Sequence, residues 1–409
     1  MTPPIVAQRV TPGNAEAVAE LLATCDRTGR AVIVEGGRTL DGMGGAPTRA
    51  DVALCTCALD RILTYEPRDL TVAVEAGMTL AALAGQLQRE RQFVPLDAPL
   101  RKRATVGGTL AAGWLGPRRH RYGRPRDLII GSRVALADGT LARAGGMVVK
   151  NVSGYDMSKL YVGSFGTLAV IVEAHFKTLP LPERRRAILA RLPSGSAERA
   201  VAHLQALAVP PSAAWRVTGF HREVPGDDGD DGRLVVFLES TETLMERATR
   251  DLRSVLGRAG VPAATIIDDG AYDSFERVCD ALIAPLGERS VTYRELGSPE
   301  NALPRCTALM ALAERRQLIP ESITDIMNGD RYLRVSDRDA LAFNTKIDAF
   351  DDELHTEAPD AIVVAGQTAM RADLAVWGEP PRTLARMHAL KDRFDPRHTL
   401  NPGRFIGGI

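Results

Sequence analysis

Between Gly145 and Leu168, Gly145, Gly146, Gly154, Gly163 and Gly166 alternate with Lys150, Asn151, Tyr155, Asp156, Lys159 and Ser164. Glycine permits positive φ and close backbone approach to a bound group. The polar side chains among the glycines can hold that group in place. The stretch carries too much glycine for a helix and is too apolar for a solvated linker. Such a combination suits a large polar cofactor. A second block, Thr105-Val106-Gly107-Gly108-Thr109-Leu-Ala-Ala-Gly113, has the composition of a chain pressed against a flat ligand or another backbone. Around it lie Arg101, Lys102, Arg103, Arg118, Arg119, His120, Arg121, Arg124 and Arg126. A charge run of this kind is ordinarily a solvated face, but the interleaved glycines favour an anion-binding loop. In a third block, Gly36-Gly37-Arg38-Thr39, freed backbone N–H groups can converge on an anion. Alone it reads as a tight turn between strands. No helix pattern follows it and no Lys-Ser/Thr pair occurs, so it is not a P-loop.

The elements that must position these blocks are mostly strands. Asn14 caps an amphipathic helix over Ala15–Thr24 with Leu21 and Leu22 inward, and Ala31–Glu35 is a buried strand that ends at Gly36. Val52–Cys55 and Thr71–Glu75 are further strands, and Thr79 caps a helix to about Arg91. Asp127 leads into a strand that turns at Asp138-Gly139, with Leu141–Arg143 as its return. Thr167–Glu173 is again a strand. Pro180 and Pro182 cannot donate within a sheet, so a boundary falls there. Beyond it, strands and helices alternate: Ala187–Leu192, Ser196–Leu207, Ala214–Thr218, Leu234–Glu239 and a helix from Thr241 to about Gly257. A hairpin follows over 323–335 with Asn328-Gly329 at its turn, then a helix over 337–351 and a strand over 361–365. The acidic run 227–231 reads as a solvated loop. A last helix runs from about Arg382 to Phe394. The tail Asn401-Pro402-Gly403-Arg404-Phe405 carries more than a helix stop needs, which suggests that it packs back on a site.

With 409 residues, 45% hydrophobic and 25% charged, the chain has the composition of a globular protein of two domains or one large composite domain. Formal net charge is zero. That argues against a nucleic-acid-binding protein using the arginines of 101–126. Cys25, Cys55, Cys57, Cys279 and Cys306 are too few and scattered for a disulfide framework, and none forms a Cys-x-x-Cys pair for zinc or an iron–sulfur cluster. The histidines have no metal-ligand spacing. No apolar run approaches the ~18 residues of a membrane span, and no signal-peptide core is present at the N-terminus, so the expected compartment is the cytoplasm, with peripheral membrane contact only through partners.

These blocks occur in one order. The sequence resembles the FAD-binding flavoproteins of the vanillyl-alcohol oxidase type (PCMH-type) and, within them, the FAD-binding subunits of bacterial glycolate oxidase. The resemblance spans nearly the whole chain: the Gly36-Gly37 loop, Thr105-Val-Gly-Gly-Thr109, Gly116-Pro-Arg-Arg, Arg126-Asp127, 145–168 and Asn401-Pro-Gly-Arg-Phe. Val149-Lys-Asn-Val-Ser-Gly-Tyr-Asp-Met is its most specific run. It implies an α+β fold: a bipartite FAD-binding domain of two α+β subdomains (1–182), an antiparallel-sheet α+β cap for the substrate (183–376) and a C-terminal helix and tail returning to the FAD domain (377–409).

By match of motif, Gly36, Gly37, Arg38 and Thr39 would bind the pyrophosphate, with Thr105, Val106, Gly107, Gly108 and Thr109. Lys150, Asn151 and Gly154 would contact the flavin. Gly163, Ser164, Gly166, Thr167, Leu168 and Ile171 would line the adenine end. The resemblance extends a cofactor role to Gly113, Arg118, Arg119, Arg126 and Asp127, and to Tyr155, Asp156 and Asn401. The loops where some members attach flavin covalently carry neither histidine nor cysteine here, so non-covalent FAD is expected. Related hydroxyacid-oxidising subunits hold a metal with a His-x-x-Gly-Asp-Gly-Asn segment; the nearest passage, Ile326-Met-Asn-Gly-Asp-Arg-Tyr-Leu, lacks the histidine, and no metal is expected. The implied activity is oxidation of a small 2-hydroxy acid such as glycolate, with a second flavoprotein and an iron–sulfur subunit as partners. A stand-alone FAD-dependent D-2-hydroxy-acid dehydrogenase of the D-lactate type is the alternative. Arg216, Arg294, Arg331 and Arg334 are candidates for the substrate carboxylate, and no catalytic base can be named.

Overall fold

The helix that begins at Asn14 shows how the first unit is built. In the computed structural model, which describes residues 6–146, 155–224, 226, 228–262, 264–284, 289–367, 371 and 374–409, the Asn14 side chain accepts the Ala17 N–H at 2.8 Å and starts α1 (Ala15–Thr28). That satisfies one of the donors a helix start leaves open. Gly29, at φ 67°, ends the helix in the left-handed region. Val18, Leu22 and Cys25 form its fully buried stripe. They pack on a parallel sheet of order β1-β3-β2 (Gln8–Val10, Val52–Cys55 and Val32–Glu35). The same core takes in Val170, Val172 and Leu400.

A second sheet of order β4-β5-β9-β7-β8 is antiparallel throughout. Its strands are Ile62–Glu66, Thr71–Glu75, Val170–Lys177, Ile129–Ala135 and Leu141–Gly145. The central β5 is buried at every position, as its Thr-Val-Ala-Val-Glu sequence allows. Asp138-Gly139 makes the turn between β7 and β8, where Asp138 accepts the Thr140 N–H at 2.8 Å. Thr79 caps α2 (Leu80–Gln88), and β6 (Gln92–Phe93) pairs with β10 (Leu179–Pro180).

Two expectations are corrected here. The Thr105–Gly113 block is a helix rather than a loop: α3 (Val106–Ala112) is capped by Thr105 Oγ1, which accepts the Gly108 N–H at 3.2 Å, and Gly113 ends it at φ 60°. Its glycines serve helix packing, since a Cβ on Gly107 would stand 2.8 Å from that of Ala76. The glycine-rich stretch after β8 also contains a short helix. Short turns at Arg119–Tyr122 (α4) and Pro125–Leu128 (α5) precede it, and α6 (Met157–Tyr161) begins where Asp156 accepts the Lys159 N–H. One local cap and the burial of Ser158 and Tyr161 accompany its five residues.

The C-terminal helix (Leu384–Phe394) and the tail also belong to this unit, which comprises 1–116, 123–181 and 380–409. Leu400 forms a parallel bridge with Val32, extending the sheet beyond β2.

The second unit comprises 117–122 and 182–379. Eight antiparallel strands form one sheet of order β14-β11-β13-β12-β16-β17-β15-β18. In chain order they are β11 (Arg184–Arg191), β12 (Ala213–Thr218), β13 (Arg233–Ser240), β14 (Thr265–Ile267), β15 (Ser290–Glu295), β16 (Ile319–Asp325), β17 (Arg331–Ser336) and β18 (Ile362–Ala365). The helices α7 (Ala197–Gln205), α8 (Glu242–Arg258), α9 (Ala271–Ala281), α10 (Ala302–Arg315) and α11 (Ala340–Glu357) accompany them. Gly329, at φ 84°, makes the β16–β17 turn beside Asn328. The sequence reading passes over β14, α9, β15 and α10. Pro304 stands in the first turn of α10, where proline is tolerated. Among the described residues, no helix is long and apolar enough to cross a membrane.

Candidate cofactor site

A cleft of about 110 Å³ lies in the first unit. The end of β2 (Val34, Glu35), the turn Gly36–Asp41, the start of α3 and residues of β9 form its walls, and Asn401 and Arg404 of the tail close it. The turn needs its glycines because the α3 approach comes directly against it. A Cβ on Gly37 would run into the Arg103 carbonyl, and one on Gly36 into Thr105 Oγ1. Gly37→Ala is therefore expected to abolish retention of the bound cofactor during gel filtration, while the helix content by circular dichroism stays near wild type. Full retention would contradict this packing.

The tail is stitched into the cleft by Asn401. Its backbone is left-handed (φ 44°), its N–H donates to the Val32 carbonyl at 2.9 Å, and its Oδ1 accepts the Val34 N–H at 2.8 Å. The Asn401 amide donates to the Phe165 carbonyl at 2.6 Å. Asparagine tolerates this conformation better than most side chains. Phe165 stacks on Phe405 with ring centres 5.7 Å apart. Beneath them Lys391, wholly buried, donates to Asp395 at 2.6 Å and to the carbonyls of Leu400 and Thr167 at 2.9 and 2.8 Å. One ammonium thus ties the C-terminal helix, the tail and the 163–168 turn together.

The charges in the cleft are unequal in what they have left to bind. Arg38 meets Asp41 at 2.7 Å and Glu35 at 3.8 Å. Glu35 also pairs with Arg9 at 2.6 Å. Burial pushes the Glu35 carboxyl up, with Arg38 and Arg9 opposing. Arg404 donates to the Gly45 carbonyl at 2.7 Å and makes no ion pair within 4 Å among the described residues. Burial pulls its guanidinium down from its ordinary value, with Asp41 opposing. An underpaired, largely buried cation at a turn made of glycine fits a cofactor that brings its own phosphate charge.

Of the residues singled out from sequence, Gly36, Gly37, Arg38, Thr39, Thr105, Gly107, Gly108, Gly166, Ile171 and Asn401 line the cleft. Others support it from behind. Val106 and Leu168 are buried, Thr109 Oγ1 donates to the Thr105 carbonyl, and Ser164 and Thr167 hydroxyls fasten the 161–167 turn. Gly113 and Gly163 sit back to back, since a Cβ on Gly113 would lie 2.9 Å from the Gly163 Cα. Tyr155 is 94% exposed, Asp156 caps α6, Arg126 is exposed and Asp127 accepts the Arg124 N–H at 3.0 Å. Lys150, Asn151 and Gly154 lie outside the described residues. Sequence reasoning gave no cleft role to Glu35 or Thr56, and it named Arg404 only as part of a tail that packs back on a site. The signal for Arg404 was its place three residues after Asn401.

Arg118 and Arg119 depart from the expected cofactor role. Both belong to the second unit and are spent in ion pairs there: Arg118 with Glu239 at 2.8 Å and Arg119 with Asp330 at 2.7 Å. Arg185 and Tyr122 also meet Glu239, at 3.2 and 3.1 Å. Burial raises the Glu239 carboxyl, but Arg118 and Arg185 outweigh it and hold the group below its ordinary range. A depressed carboxyl contributes stability fully above the unfolded value of ~4.3 and loses it as pH falls through the lower folded value. Glu239→Gln should lower the denaturation midpoint near neutral pH and flatten the decline in stability on acidification below pH ~4. An unchanged acid limb in urea titrations at several pH values would contradict this.

The fold is that of PCMH-type flavoproteins, and the chain is an FAD-dependent oxidoreductase with FAD as its cofactor. Residues 6–145 match the FAD binding domain family. A solved structure of p-cresol methylhydroxylase with substrate bound superposes with a TM-score of 0.73 at 15% identity, covering 97% of this chain and 88% of that one. More particularly, the chain is similar to glycolate oxidase subunit GlcD of Bacillus subtilis (strain 168). The two are 26% identical over 422 residues, 97% of this chain and 88% of that protein. Glycolate oxidase subunit GlcE of Escherichia coli (strain K12) is 40% identical over 122 residues, 30% of this chain and 35% of that protein.

Proposed function

We propose that this chain is the FAD-binding subunit of an assembly that oxidises glycolate, or a closely similar 2-hydroxy acid, to the 2-oxo acid. Its electrons pass to partner subunits, a second flavoprotein and an iron–sulfur protein. The observation that carries this reading is similarity to two proteins each named as a glycolate oxidase subunit, GlcD of Bacillus subtilis along nearly the whole chain and GlcE of Escherichia coli at higher identity over a shorter span. FAD supplies the two-electron acceptor. The chain's own residues hold and orient it: Arg404 and the backbone N–H groups of Gly36–Thr39 at the pyrophosphate, beside the start of α3, with Asn401 fixing the tail that carries Arg404. Lys150, Asn151 and Gly154 belong to the flavin side in this reading.

The FAD is non-covalent, a reading supported by the absence of histidine and cysteine from the cleft lining among the described residues. Acid precipitation should leave the yellow colour in the supernatant; colour retained in the pellet would overturn it.

Substrate chemistry needs a base for the hydroxyl proton and a cation for the carboxylate. Within the second unit Arg331 is paired with Glu295 at 2.8 Å, and Arg334 with Glu223 and Glu321 at 2.9 and 2.6 Å. Among the described residues no group of three His, Cys, Asp or Glu side chains is placed to hold a metal ion. Two of the four candidate arginines are thus spent in ion pairs, which supports a relay role with the hydroxy acid oxidised on a sister subunit. Purified chain alone should then fail to reduce an artificial acceptor with glycolate and should gain that activity when its partners are added. Reduction by the chain alone with glycolate or D-lactate would instead establish the stand-alone D-2-hydroxy-acid dehydrogenase.

A further inference from the structure

Cys55 and Cys57, which the sequence offers only as scattered cysteines, are joined in a disulfide. Their Cα atoms stand 5.4 Å apart, within the roughly 4.4–6.8 Å that a bridge requires. The pair flanks Thr56, a residue of the cleft wall. Thr56 is fixed from two sides: its N–H and Oγ1 donate to the Glu35 carbonyl at 2.9 and 3.2 Å. Gly77 closes on its other side, where a Cβ would run into the Thr56 carbonyl. The Cys57 Sγ lies 3.4 Å from the carbonyl of Gly36, the first residue of the glycine turn. The two sulfurs differ in access, since Cys55 is buried and Cys57 exposed. The remaining cysteines, Cys25, Cys279 and Cys306, are buried.

We propose that Cys55 and Cys57 are a reversible dithiol–disulfide site that stiffens the Thr56 wall and the Gly36 turn, so that the protein's hold on FAD follows the thiol–disulfide poise of its surroundings. The oxidant is a small-molecule disulfide of the glutathione class. The exposed Cys57 thiolate attacks one sulfur of that molecule, forming a mixed disulfide and releasing one thiolate. The Cys55 thiolate then attacks the Cys57 sulfur and releases the second. Two electrons pass from the cysteines to the small disulfide, and the two protons they gave up end on the released thiols. Reduction runs the same exchange backwards and begins at Cys57, the sulfur that solvent reaches. Closing the bridge removes rotamer freedom from two side chains that touch the cleft wall, and a cleft held in its binding conformation loses less entropy on taking up FAD.

The test equilibrates the full chain in glutathione buffers from reducing to oxidising. Intact mass follows the loss of two hydrogens, and a maleimide reports on exposed thiol. The FAD dissociation constant is read at each poise from the fluorescence of released FAD. We expect maleimide to label Cys57 only in reducing buffer, with FAD roughly tenfold weaker in the reduced form. Cys57→Ser and Cys55→Ser should each hold the weaker value at every poise. Labelling of Cys57 at every poise would overturn the proposal, as would a closed bridge with an unchanged dissociation constant. The proposal rests on the FAD assignment. Failure to bind FAD at any poise would overturn both, and the mass difference distinguishes that result from a failure of the thiol exchange.

Discussion

Arg404→Met should weaken FAD binding by roughly 10- to 100-fold, the loss of one charge-assisted contact to phosphate. The expectation follows from the imbalance between the two cleft arginines. Arg38 already meets Asp41 at 2.7 Å, whereas Arg404 is bonded only to the Gly45 carbonyl among the contacts described above. Arg38→Met should accordingly cost less than Arg404→Met. Arg404→Lys should recover part of the loss, because the charge is kept and the two-pronged geometry is not. Calorimetric titration of apoprotein separates this role from a general weakening of the tail. ADP binding should fall in the methionine variant while adenosine binding stays unchanged. Equal losses for both ligands would show that Arg404 acts by packing alone.

Lys391→Met should destabilise the first unit by about 3–5 kcal/mol, the range for leaving one partner of a buried ion pair uncompensated. Asp395 is wholly buried and accepts the N–H groups of Thr399 and Leu400 at 2.9 and 2.7 Å besides the lysine. Without the ammonium its charge has no close counterion, and the carbonyls of Thr167 and Leu400 lose a donor. A second change, Asp395→Asn, should recover part of the stability by removing the buried charge. Urea denaturation of the variants measures both effects. A midpoint for Lys391→Met equal to that of wild type would contradict the account of how the tail is anchored.

The glycine blocks carried much of the candidate site because glycine leaves room for close approach, as at Gly37 against the Arg103 carbonyl, Gly36 against Thr105 Oγ1 and Gly166 against the Asn401 amide. The strands were legible for a related reason: Val-rich runs such as 32–35, partly buried, and 71–75, buried throughout, admit few other readings. What the sequence hid was pairing. An arginine beside a glycine block looks the same whether its charge is free or spent. Only the fold places Arg118 on Glu239 and Arg38 on Asp41, and leaves Arg404 without an ion pair among the described residues. The helix α3 was hidden by its composition, since Gly107 and Gly108 disfavour helix locally and the Thr105 cap with packing on Ala76 overrides them. Cys55 and Cys57 form no familiar spacing motif, and their pairing depends on the turn that follows β3.

The measurement that bears most directly on the proposed function is anaerobic addition of glycolate to the purified chain and, separately, to the chain assembled with its partners, while the visible flavin absorbance is followed. The account predicts a flavin spectrum in both samples, no bleaching by glycolate in the chain alone, and bleaching in the assembly. Bleaching of the chain alone would contradict the relay role, and a chain purified without any flavin band and unable to take up FAD would contradict the cofactor cleft itself.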